Sequence, residues 1–256
     1  MCGFIGVIDK KNTFSKESVE SASSFIHRRG PDYSGYELVK SFENEIHLSH
    51  KRLSIIDLSN EANQPFFDEN RNWALIFNGE IYNYKEIKHK LENKNIKFKT
   101  SSDTEVIIKS FDYWGIKCLK YFIGMFSFMI TDLKLGVSYV VRDRAGVKPL
   151  YYYRSKNAFI ASSDLRSVNH LVKDKITLNL SAVNSFFNLG YSELESSYIN
   201  EIQKLPKGCY LKIDYKNYDY KVVKYWDPLT FFNNKYLNIS ESEILDQLED
   251  LLTSAF

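Results

Sequence analysis

A dominant charge of one sign is missing from this chain. Its 256 residues carry 34 lysines and arginines against 32 aspartates and glutamates, a net charge of +2. That balance gives nucleic acid or an anionic membrane surface little to grip, so neither is expected as a partner. Cysteine is also scarce: Cys2, Cys118 and Cys209 form no CxxC pair or other metal-ligand spacing, and no metal site is expected from them. An odd, sparse count fits a reducing cytosol better than a disulfide framework. The longest apolar run, residues 122–130, is interrupted by Gly124 and Ser127 and is too short to span a bilayer. The first residues lack a basic stretch followed by an apolar core, so no signal peptide is expected. With 44% apolar and 26% charged residues, the composition is that of an ordinary globular protein, expected to be cytoplasmic. The length allows one large domain, or one domain with an appendage.

What is present begins at Cys2, directly behind Met1 in Met-Cys-Gly-Phe-Ile-Gly-Val. If Met1 is removed, one residue carries both a thiol nucleophile and a free α-amino group. The amine has a pKa of roughly 7.7–8.0 and can take up a proton near neutrality. Taken alone, a small residue after Met1 is commonplace, and the rest of the chain decides what Cys2 means.

Most of the chain reads as short strands bounded by turn residues. Strands are predicted at residues 3–8, 36–39, 46–50, 54–57, 73–78, 122–131, 137–142, 158–162, 208–214 and 220–226. Helices are predicted at 18–27, 84–93, 103–114 and 180–187. Strands at both ends with helices between them suggest layered sheets covered by helices. Ser240 and Glu243 form a capping box ahead of an apolar stripe of Ile244, Leu248, Leu251, Leu252 and Ala255. Such a stripe needs something to bury it: either it folds back on the main body or, the favoured expectation, the sequence continues into a longer protein. His47 and His50, three apart in a strand, point to opposite faces and do not suggest a metal site. His89 and His170 read as surface residues, Cys118 and Cys209 as packing thiols, and Tyr151, Tyr152 and Tyr153 as sheet and core.

Four polar clusters sit at predicted strand ends: Arg52 to Asp57, Asn78 to Asn83, Ser102 to Glu105, and Arg142 to Arg144. Each has a dull explanation on its own, as a hairpin turn, a helix cap or a surface ion pair. Together with Cys2-Gly3, Arg29-Gly30-Pro31-Asp32, Gln64-Pro65, Gly124 to Phe128 and Gly146 to Tyr152, they form an ordered pattern. That pattern resembles the class II glutamine amidotransferases, N-terminal nucleophile hydrolases with an α+β, four-layer αββα sandwich. The segments Arg52-Leu53-Ser54-Ile55-Ile56-Asp57, Gly146 to Tyr151 and Leu205-Pro206-Lys207-Gly208 are most similar to the glutaminase domain of glutamine-dependent asparagine synthetases.

The resemblance implies a set of roles. Cys2 would attack the side-chain amide of glutamine, with its own amine shuttling the proton and a thioester as intermediate. Asn78 and Gly79 would form the oxyanion hole. Arg52 would hold the substrate carboxylate and Asp103 its ammonium, a zwitterion clamp whose charges suit those groups. Leu53, Ser54, Ile55, Ile56 and Glu80 would line the same pocket. Residues 1–226 would be the glutaminase domain, and 227–256 the linker and first helix of an ATP-dependent synthetase domain, in the same chain or a partner protein.

No cofactor is implied for the glutaminase domain. ATP and magnesium would belong to the synthetase domain, whose Ser-Gly-Gly-x-Asp-Ser loop is absent from these residues. The ammonia acceptor would be aspartate, with a surface-sugar precursor as the alternative and a non-catalytic scaffold as a third reading. A homodimer is compatible with the family. Two departures stand out: His27-Arg28-Arg29-Gly30-Pro31-Asp32 where the branch has His-Arg-Gly-Pro-Asp, and Ser162-Ser163-Asp164 where it has Ala-Ser-Glu.

Overall fold

The structure is a computed structural model that describes residues 2–192, 195–232 and 239–255. It divides into two compact units, Met1–Trp226 and Asp227–Phe256. Among the described residues the larger unit contains twelve strands: β1 (Gly3–Asp9), β2 (Tyr33–Ser41), β3 (Asn44–Arg52), β4 (Phe66–Phe67), β5 (Trp73–Ile81), β6 (Gly124–Asp132), β7 (Val137–Arg142), β8 (Tyr151–Arg154), β9 (Ala158–Ser162), β10 (Gln203–Lys204), β11 (Cys209–Asp214) and β12 (Asp219–Lys224). Its helices are α1 (Lys16–Ser23), α2 (Tyr84–Glu92), α3 (Asp103–Trp114), α4 (Leu165–Leu171) and α5 (Leu180–Leu189).

The strands form two six-stranded sheets, ordered β10-β8-β9-β1-β3-β2 and β12-β11-β7-β6-β5-β4. Every named strand pairing is antiparallel. β1 shows why the layers form. Its alternate residues Phe4 and Ile8 enter a core shared with Ile46, Leu48, Ala74, Ile76 and Met129 from both sheets. Ile5 and Val7 point the other way and pack with Val19, Ala22 and Val168 from α1 and α4. Period-two alternation with both faces apolar forces burial on both sides. The second sheet does the same: Leu75, Phe77, Phe128 and Ile130 pack outward against Ile87, Leu91, Val106, Ile107 and Phe111 of α2 and α3. Three apolar layers thus separate helix, sheet, sheet and helix, the αββα sandwich. The sheets approach closely at Gly6, where an added Cβ would stand 2.3 Å from Met129 Sδ.

Several expectations shift. Residues 54–57 form no strand but an irregular loop, for a reason that belongs to the site below. The helix expected over 18–27 is α1 from Lys16, capped by Ser15, followed by a separate 3-10 segment, Ser24–Arg29. Asp164, one of the departures, caps α4 by accepting the Arg166 N–H at 2.9 Å. In the smaller unit a short helix, α6 (Leu229–Phe232), precedes α7 (Glu241–Ala255). The capping box forms there: Glu243 N–H donates to Ser240 Oγ at 3.3 Å, and Ser240 N–H to Glu243 Oε2 at 2.8 Å. Ile244, Leu248, Leu251 and Leu252 of α7 are exposed. Among the described residues, no helix is long and apolar enough to cross a membrane, and no group of three or more His, Cys, Asp or Glu could hold a metal ion.

Candidate active site

Cys2 sits at the tip of β1, where the strand leaves the core. Arg29 Nε donates to the Cys2 carbonyl at 3.0 Å, fixing the backbone behind the thiol. The thiol lies against Leu53: Sγ accepts the Leu53 N–H at 3.3 Å and faces the Leu53 carbonyl at 3.6 Å. Burial pushes the Cys2 thiol up, and the Leu53 N–H and the Arg52 charge only partly offset it. The thiol is therefore not a standing thiolate and needs a base when it reacts.

Arg52 closes β3 and explains the irregular segment after it. Its Nη1 donates to Ser59 O at 2.8 Å and to Asn63 Oδ1 at 2.7 Å. Its Nη2 donates to the carbonyls of Asp57 and, at 3.5 Å, Ile56. A chain whose carbonyls converge on one guanidinium has no ladder to join, so Ile55 and Ile56 alternate in sequence without forming a strand. Asp57 secures the far side. Its Oδ1 accepts from Ser59 and its Oδ2 from the Ser101 N–H at 2.9 Å, so the loop is tied to the start of α3. These bonds lower the Asp57 pKa to about 2, the Ser59 hydroxyl contributing most. The terminal nitrogens of Arg52 thus hold the loop that follows it, at the rim of the pocket described below.

Asn78 and Gly79 lie on β5, and their freedom comes from the end of β4. In an antiparallel pair, opposed residues alternate between exchanging hydrogen bonds and not. Phe126, opposite Gly79, has its N–H on Asp143 Oδ2 at 3.3 Å and its carbonyl on the Asp143 N–H at 2.8 Å. Gly79 therefore forms no ladder bonds with β6, and its N–H faces the β4 side, where that two-residue strand has not yet begun. Only glycine fits: φ is +154° and a Cβ would stand 2.2 Å from Met125 O. Next to it, both Asn78 Nδ2 and Oδ1 are buried without a hydrogen-bond partner. An unpaired buried polar group costs roughly 1–3 kcal/mol, and this amide belongs to a residue that lines the pocket described below.

Asp103 is the first residue of α3, after the cap Ser102, whose Oγ accepts the Thr104 N–H at 3.1 Å. Its Oδ2 accepts the Ile81 N–H at 3.1 Å. Burial lifts its pKa to about 6 against that bond and the one from Thr104.

These elements meet in one pocket, open to solvent, with about 570 Å³ of empty volume. Of the residues singled out from the sequence, Cys2, Arg52, Leu53, Ile55, Ile56, Asn78, Gly79, Glu80 and Asp103 line it. Ser54 does not; its N–H is turned to Asp32 Oδ2 at 2.8 Å. Sequence reasoning missed Ala62, Gln64, Phe77, Ser102, Thr104, Met125 and Lys148 in the wall. Met125 was readable in principle, since it stands opposite Glu80 in the β5–β6 register. Lys148 comes from the irregular turn that Asp143 gathers, with Oδ1 accepting from Ala145 and Val147 and Oδ2 from the Lys148 N–H. No local pattern announces it.

Comparison with known proteins agrees with this geometry. The family described as glutamine amidotransferase domain matches residues 1–226. The chain belongs to the glutamine amidotransferase domain family. Among similar proteins, a putative glutamine-hydrolysing asparagine synthetase 2 of Methanocaldococcus jannaschii is 36% identical, over 89% of this chain and 47% of that protein. Glutamine-hydrolysing asparagine synthetase 2 of Bacillus subtilis is 35% identical, over 88% of this chain and 30% of that protein. The chain thus spans less than half the length of these curated relatives. Among solved structures, glutamine phosphoribosylpyrophosphate amidotransferase from B. subtilis superposes with a TM-score of 0.61 at 18% identity, over 88% of this chain and 49% of that one. At that identity the likeness speaks for the fold alone.

Proposed function

We propose that this domain hydrolyses glutamine to glutamate and ammonia through a Cys2 thioester. The observation that carries the reading is the single pocket joining a thiol, an unpaired buried amide beside an edge N–H, and a buried carboxylate. In the proposed cycle, Cys2 Sγ attacks the amide carbon while its proton passes to the free α-amine of Cys2. The charge on the carbonyl oxygen is met by Asn78 Nδ2 and the Gly79 N–H. The carbon–nitrogen bond breaks as the ammonium returns its proton to the leaving nitrogen, and ammonia departs. Water, deprotonated by the same amine, then cleaves the thioester to glutamate. Asp103 takes the substrate ammonium. Arg52 supports the carboxylate side through the loop it organises and the positive field it supplies. No cofactor is assigned to these steps.

The ammonia would serve an ATP- and magnesium-dependent synthetase part, in the same chain or a partner, with aspartate as the acceptor. The names of the similar asparagine synthetases support that acceptor. The test is a glutaminase assay on protein beginning at Cys2, following glutamate and ammonia together. Equal release of both is expected, and no glutamate release would sink the reading.

Asp103 gives the reading a pH signature. Its carboxylate must be ionised to hold an ammonium, so below about pH 6 kcat/KM for glutamine is expected to lose a further factor of about ten per pH unit, on top of the loss that protonating the α-amine brings. The same shift acts on stability. The folded pKa lies above the unfolded value, so ionising Asp103 opposes folding from about pH 4 upward, by about 3 kcal/mol in full above pH 6. Asp103→Asn is expected to raise Tm at pH 7–8, bring no gain at pH 4, and raise the KM for glutamine. Thermal unfolding at both pH values, beside steady-state kinetics, checks all three.

A further inference from the structure

β4 begins only at Phe66, yet the edge of β5 ahead of it is not left bare. Phe77 N–H donates to the side-chain Oε1 of Gln64 at 2.6 Å, and Phe77 O accepts from His50 Nε2 at 2.9 Å. Continuing the β4–β5 register puts Gln64 opposite Phe77, so a side chain there does what a strand backbone would have done. His50 reaches the same residue from the other sheet. We propose that His50 and Gln64 are positioning residues for the reaction at Cys2: they complete the ladder at Phe77 and thereby aim Asn78 and the Gly79 N–H at the developing oxyanion. This inference rests on the function proposed above.

Several observations point the same way. The Phe77 carbonyl and the Asn78 nitrogen belong to one peptide plane, so fixing the carbonyl fixes the start of Asn78. Phe77 O can only accept, so the His50 proton sits on Nε2. Complete burial lowers the His50 pKa to about 4, and the ring is a neutral donor at working pH. Nδ1 is then a buried lone pair without a partner, a cost that a leucine would avoid and that placement explains. The approach of Gln64 is also built in. Gly35 stands opposite His50 on β2, and a Cβ there would lie 1.9 Å from Gln64 O. Gln64 Nε2 in turn reaches Thr104 Oγ1 at 3.4 Å, linking the edge to the first turn of α3 beside Asp103.

The experiment compares His50→Leu, His50→Gln, Gln64→Leu and Gln64→Glu in protein beginning at Cys2. The leucine variants are expected to lower kcat for glutamine by about 10- to 100-fold, with KM within about threefold, because a misaimed donor is felt in the transition state. Gln at 50 offers an amide N–H and Glu at 64 an acceptor, and each is expected to recover most of the loss. Alkylation of Cys2 by iodoacetamide develops no oxyanion, so its rate is expected to stay at the wild-type value throughout. A leucine variant with wild-type kcat would overturn the proposal, as would parallel losses in KM and alkylation or no rescue by the conservative variant. If one leucine variant fails to fold, the pair at the other position makes the same comparison. Failure of the wild-type protein itself to release glutamate would refute the underlying function and this inference with it. Loss of the proposal alone leaves wild-type turnover intact.

Discussion

Protein that keeps Met1 is expected to release glutamate at least about 10³-fold more slowly than the same chain beginning at Cys2, and Cys2→Ala to fall to background. The reason lies in the thiol's surroundings. Burial holds the Cys2 thiol in its protonated form, and its Leu53 contacts pair an N–H with Sγ and a carbonyl with its proton. Neither contact can remove that proton. The two histidines buried nearest in sequence to the site loop are already committed, His50 to Phe77 O and His47 to the Tyr36 hydroxyl at 2.9 Å. His50 is also far too weak a base, with its pKa near 4. The base of the proposed cycle is the α-amine of Cys2, which exists only when Met1 is gone; behind Met1 the same nitrogen is an amide without a basic lone pair. Intact-mass measurement of each preparation, beside its rate of glutamate release, checks the expectation. Normal turnover by protein retaining Met1 would assign the base to another group.

The strands were legible where both faces are buried. β7 and β9 match their expected limits, and β1 differs by one residue, because continuous apolar runs have no other stable home. The segment 54–57 misled because Ile55 and Ile56 look like strand residues, while what shapes them is a guanidinium at position 52. No local pattern reveals that Arg52 will bind carbonyls four to seven residues ahead of it. Gln64 is named from the sequence only within a motif and Phe77 only within a strand, neither as a site residue, for a related reason: a glutamine side chain that substitutes for a strand has no signature until β4 and β5 are in register. Asn78-Gly79, by contrast, was visible as a motif. Its chemistry became physical only when Asp143 was found to occupy both backbone groups of Phe126, leaving the Gly79 N–H on the open edge.

Asn78→Leu is expected to change two measurements in opposite directions. Glutamine turnover should fall by about 10²–10³-fold in kcat, the usual loss when one oxyanion donor is removed, with KM little changed because that interaction strengthens only as charge develops. Folding stability should rise. The wild-type amide buries two polar atoms without partners, and a leucine of the same branching removes that unmet demand, a gain of roughly 1–3 kcal/mol where the larger side chain is accommodated. Asn78 pairs with Ser127 across β5 and β6, between the two sheets, so the replacement meets a packed environment and not solvent. A residue kept for structure would behave the other way, losing stability and activity together. Steady-state kinetics and thermal unfolding of the same preparation therefore separate the two roles. Unchanged kcat would take Asn78 out of the reaction, whereas lower stability with lower kcat would make it a structural residue. A faster-melting wild type beside an almost inactive, more stable variant is the outcome that a preorganised oxyanion site requires, because its unmet hydrogen bond is held ready for a charge that exists only during the reaction.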